Sequence, residues 1–178
     1  MKKENFKLTI REITLFGMLG ALMWASKIAM EALPNIHLIG VFIVAETVVY
    51  RWKALFPIYI FAIIEGVWSG FNLWWLPYLY IWTVLWIFVM LIPKKLPNKA
   101  RPFVYAGVCA LHGFLYGTLY APFMAIAYYN FDIGKTLASI VSGIPYDALH
   151  GLGNLVLGLI LITPLIKLLR LARDGKIT

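Results

Sequence analysis

Apolar residues dominate the chain in long runs, broken only at proline, glycine and small charge clusters. These breaks leave six apolar segments, at about 12–33, 37–50, 54–71, 73–92, 102–129 and 138–169. None shows the alternation of a half-buried strand, and their length predicts helices. A helix needs about twenty apolar residues to cross the hydrocarbon of a bilayer. The second segment, near fourteen residues, is short for that purpose.

Composition sharpens this reading. The 178 residues are 62% hydrophobic and only 13% charged, against roughly a quarter charged in ordinary globular domains. Mean hydropathy is +0.81. A soluble core of this size cannot hide so much apolar surface, so the expected class is an all-α integral membrane protein, a single six-helix transmembrane domain over 1–178. There is no internal repeat and no low-complexity linker. The N-terminus resembles a signal peptide, but Lys27 and Glu31 follow without a small-residue cleavage site, and it is read as an uncleaved first helix.

The net charge of +8 would suggest nucleic acid in a soluble protein, but the cations sit at chain ends and in short loops, with no basic groove and no interleaved aromatics. With six crossings, fourteen of the sixteen Lys and Arg residues fall on one side, leaving Lys27 and Lys135 toward the other. The positive-inside rule then places both termini in the cytoplasm, with the protein in the cell membrane. Without the short second span the later loops would invert and this agreement would be lost. Cys109, the single cysteine, lies in an apolar run and reads as a small packing residue.

Polar residues inside such a chain are the candidates for function. In GIPYDALHGLGN, Pro145 suggests a helix start, and Asp147, His150 and Asn154 at i, i+3 and i+7 share one helix face. That face lines a pocket or forms a hydrogen-bond network between helices. His112, Tyr116 and Tyr120 at i, i+4 and i+8 make a second face, a ligand wall or core. Trp75, Tyr78, Trp82 and Trp86 make a third, either an interfacial belt or a stacking surface. Glu46 and Glu65 are isolated intramembrane acids; Arg51 or Lys53 could neutralise Glu46, and Lys27 could pair with Glu31.

Catalytic motifs fit poorly. IGKT at 133–136 lacks the first glycine of a phosphate-binding loop, whose place Tyr129 takes. Asp147 and His150 lack the further ligands of a zinc site, so no metal is expected. GVWSG at 66–70 hints at an intramembrane serine protease, but Val67 stands where the tight turn before Ser69 needs glycine. The alternatives to a binding protein are such an enzyme, using Ser69 or the Asp147/His150 pair, or a stand-alone facilitator or scaffold. Gly17, Ala21 and Ala25 on the first helix have the small-residue spacing that admits a neighbouring helix.

Six helices in under 200 residues, the A-x-x-x-A of Ala21 to Ala25, the LPNIHL loop after it and P-x-D-x-x-H-x-x-x-N in the last segment together resemble the substrate-binding S component of an energy-coupling factor (ECF) transporter. The resemblance spans about residues 10–170. It implies a non-enzymatic receptor that captures a vitamin or related micronutrient outside the cell. The receptor would dock on a transmembrane T component with two ATPases and topple in the lipid to release its ligand inside. It implies that ATP is used by those partner subunits, that Ala21 and Ala25 meet the T component, and that the ligand is held by Asn35, His37, Trp75, Tyr78, Trp82, His112, Tyr116, Asp147, His150 and Asn154.

Overall fold

A computed structural model describes residues 7–175 and is all-helical over them. Helix α1 (Ile10–Ala29) opens on a capping box in which Thr9 and Glu12 satisfy each other's backbone N–H groups. Helix α2 (Ile39–Tyr50) leads through a 3-10 turn, Arg51–Ala54, into α3 (Leu55–Ser69). A second 3-10 turn, Leu73–Trp75, precedes α4 (Tyr78–Leu91), and α5 (Arg101–Phe114), α6 (Tyr116–Ala127) and α7 (Ile133–Asp174) follow. Five helical stretches, Ile10–Ala29, Ile39–Ser69, Leu73–Leu91, Arg101–Ala127 and Ile133–Asp174, are long and apolar enough to cross a membrane.

The stretch Ile39–Ser69 is not straight. Arg51, at its middle, takes φ 55° and ψ −122°, a positive-φ conformation outside the helical region that breaks the helix. Two ion pairs then fix the directions: Lys53 in the turn just before α3 meets Glu12 at the start of α1, and Lys27 near the end of α1 meets Glu65 near the end of α3, each at 2.6 Å. Helices α1 and α3 therefore lie side by side and parallel. Helix α2 connects the far end of one to the near end of the other, so it runs the opposite way.

Its shortness has a physical reason. Twelve residues make only about 18 Å of helix, but eleven of the twelve are buried. A helix encased by protein on all sides is apolar all round and need not match the bilayer. At the other extreme, α7 has 42 residues and runs about 63 Å. Its start is Asp132, whose side chain accepts from the Lys135 N–H. The expectation that Pro145 opens this helix is corrected, since Pro145 lies well inside it, and residues 133–137, expected as loop, are helical. The expected continuous helix over 102–129 is also corrected: it breaks at Leu115 into α5 and α6.

Hydrogen bonds gather the ends. Arg11 donates to the Ala172 carbonyl, Tyr50 to that of Leu169, and Arg51 to that of Met90. The start of α1 and the ends of α2, α4 and α7 thus share one end of the bundle, which is the basic one. The core between them is built on Phe16, Met23, Phe61, Trp82 and Leu85, all nearly or fully inaccessible.

Candidate functional site

At the opposite end, the segment after α1 folds as a chain of tight turns. Leu33 bonds back to the Met30 carbonyl and Ile36 to that of Leu33. Asn35 sits at φ 58°, which asparagine tolerates better than most residues. These turns carry the chain over the top of the bundle and place His37 against His150, with ring centroids 4.8 Å apart. Beneath them lies a cavity of 230 Å³, walled by Asn35, His37, Tyr78, Tyr116 and His150, with Lys27 and Glu31 also lining it.

The floor is aromatic. Tyr116 packs on His150 at 5.0 Å and on Trp82 at 5.9 Å, and Trp82 in turn meets Tyr78, His37 and His112 between 5.6 and 6.0 Å. Tyr78 and Trp82, one turn apart on α4, reach this floor together. His112 donates from Nε2 to the Ile81 carbonyl at 3.0 Å, which leaves its Nδ1 a bare acceptor. Nδ1 of His37, Nδ1 of His112 and Nε2 of His150 are buried and have no hydrogen-bond partner among the described residues. Burial, with the nearby His150, pushes the His37 pKa down to about 3, so this ring is neutral at pH 7. Among the described residues no three His, Cys, Asp or Glu side chains converge as a metal site would need.

The other residues expected at the site stand behind or beside the cavity. Trp82 is 1% exposed and supports the lining without reaching it. Asn154 donates to the Cys109 carbonyl at 3.2 Å, tying α7 to α5. Both oxygens of Asp147 accept from the Gly117 N–H at 3.0 Å, a carboxylate at the first turn of α6 where the helix dipole favours it. Trp75 donates from Nε1 to the Ala62 carbonyl at 2.7 Å and so pins the loop before α4 onto α3. The chain matches no family model, no curated protein and no solved structure.

Three charges part from expectation. Lys27 meets Glu65, not Glu31. Glu65 is buried; its Oε1 accepts from Lys27 and from the Ser69 hydroxyl, while Oε2 has no partner among the described residues. Neither Arg51 nor Lys53 reaches Glu46, which is fully buried with both oxygens unpartnered among the described residues. Lys27 and Glu31 carry a sequence signal, charges within or beside an apolar helix, but i, i+4 spacing points them to each other and not to the cavity. The cavity thus offers flat aromatic walls, the rings of His37 and His150, and one partly exposed ammonium held by Glu65, with the Glu31 carboxylate beside it. That combination suits a small planar ligand carrying polar or anionic edges. Ala21 and Ala25 lie on the exposed side of α1.

Proposed function

We propose that the chain is the substrate-binding S component of an ECF-type importer, a six-span protein of the cell membrane with both termini in the cytoplasm. The cavity under the 30–37 turns carries this reading. It lies at the end of the bundle away from the basic end, where a ligand arriving from outside would enter under the positive-inside orientation. Asn35, His37, Tyr78, Tyr116 and His150 hold the ligand, and Lys27 faces its anionic edge. At 230 Å³ the cavity falls below the roughly 300–1,000 Å³ typical of drug-sized ligands. A compact, one-ring heteroaromatic micronutrient fits it best. Release inside the cell requires a T component, engaged through the exposed Ala21 and Ala25, and two partner ATPases that consume ATP.

The test is mass spectrometry of small molecules released on denaturing the detergent-purified protein, made in cells grown in rich medium. A stoichiometric one-ring vitamin or precursor, lost in His150→Ala, supports the proposal. A protein that emerges empty and retains no component of a rich-medium extract overturns it.

A further inference from the structure

A second cavity, of 330 Å³, opens at the basic end between the ends of α2, α4 and α7 and the start of α5. Arg51, Lys94, Arg101, Arg170 and Arg173 line it, and no carboxylate does. Among the described residues Arg173 alone of the five is ion-paired, with Asp174 at 2.8 Å, and the remaining like charges around one space repel each other unless an anion sits among them. Arg51 and Arg101 are each fixed by one bond to a backbone carbonyl, of Met90 and Leu96, while Arg173 donates to the Val49 carbonyl and to the Asp174 carboxylate. Each keeps further N–H donors, since a guanidinium has five. Lys94 and Arg170 make no hydrogen bond or ion pair with any described residue. Arg101 is also the first residue of α5, whose N-cap, Ala100, supplies no side-chain acceptor, so the positive end of a helix dipole adds to the field.

The remaining wall is apolar, with Val48, Val89 and Ile92 facing the same space. Tyr105 lines it and the Trp86 indole donates to the Arg51 carbonyl, aromatic residues of the kind that mark headgroup depth. A soluble anion would gain nothing from those aliphatic walls, whereas a lipid presents a phosphate and acyl chains together. We propose that this cavity is a binding site for the phosphate headgroup of an anionic phospholipid, independent of what the opposite cavity holds.

The experiment uses the delipidated full-length protein in detergent, titrated with phosphatidylglycerol, phosphatidylcholine or inorganic phosphate while thermal unfolding and native mass spectra are recorded. Phosphatidylglycerol is expected to raise the unfolding midpoint and remain bound in the mass spectrum, with phosphatidylcholine doing neither. The double variant Lys94→Gln/Arg170→Gln, which removes no bond within the described protein, should lose at least about half of the midpoint gain and most of the retained lipid. Lys135→Gln, at the other end, should lose neither. An equal gain with phosphatidylcholine, or an undiminished gain in the double variant, overturns the proposal. Inorganic phosphate reproducing the whole gain also overturns it, by assigning the cavity to a soluble anion.

Discussion

The seam between α5 and α7 holds the floor of the upper cavity in place, and Gly113 is where the backbones of the two helices come closest. A Cβ added there would lie 2.9 Å from the Cα and N of Gly151 and 2.9 Å from the Asn154 amide nitrogen. Two of those three atoms are backbone of the facing helix and cannot rotate away. Gly113→Ala therefore has to push α5 and α7 apart. Overpacking of this kind costs about 1–3 kcal/mol, and the strained Asn154 to Cys109 hydrogen bond adds about 1 kcal/mol. Alanine returns about 1 kcal/mol through helix propensity, so the net loss is about 1–3 kcal/mol. Gly107, on the same helix, has nothing within 4 Å of its added Cβ, and Gly107→Ala keeps only the propensity gain of up to about 1 kcal/mol. Unfolding of both variants in detergent, followed by tryptophan fluorescence, should separate them by about 1–4 kcal/mol on this arithmetic. A Gly113→Ala protein as stable as wild type, or a Gly107→Ala protein equally weakened, would refute the close-packed seam.

Four further outcomes follow from named contacts. Lys27→Met leaves the buried Glu65 carboxylate without its cation and should cost about 3 kcal/mol, the low end for a broken buried pair because Lys27 is partly exposed; adding Glu65→Leu should recover most of it in a double-mutant cycle, and strict additivity would show that the pair is not coupled. Glu46→Met removes two buried, unpartnered oxygens and should raise stability by about 1–3 kcal/mol; a loss in denaturant titration would mean that the carboxyl has a partner. His37 is held to about 3 in the folded protein against an ordinary value of about 6.5, so the unfolded chain binds the extra proton between those values. Stability should be level above about pH 6.5 and fall as pH drops toward 3, and His37→Gln should flatten that fall; identical pH profiles would sink the assignment. Under the proposed importer role, Ala21→Trp, on the exposed side of α1, should abolish uptake in cells carrying a T component and its ATPases while ligand binding by the purified protein is unchanged, and equal loss of both would count against a docking role.

What the sequence determined alone is the helical, membrane-embedded character of the chain and the places where polar chemistry interrupts it. Lipid leaves backbone groups no partner but each other, so apolar runs of this length have few options besides helix. Periodicity likewise puts Asp147, His150 and Asn154 on one face, and Tyr78, Tyr116 and His150 stand out as polar and aromatic residues against aliphatic helices, whereas Asn35 and His37 enter only through the resemblance to the S components. Periodicity does not say how far apart along a face two residues end up from a common point. Only the tertiary structure brings Tyr116 and His150 to the cavity while committing Asp147 to the first turn of α6 and Asn154 to the Cys109 carbonyl. It alone replaces the i, i+4 partner of Lys27 with Glu65, 38 residues away, and leaves Glu46 with neither Arg51 nor Lys53. It also decides that α2 can be short, because burial on every side frees that helix from matching the bilayer. Each of these depends on which helices touch and at what height. Between apolar helices in lipid that choice is made by close packing and a few hydrogen bonds among residues remote in sequence, a pattern no local window of the chain contains.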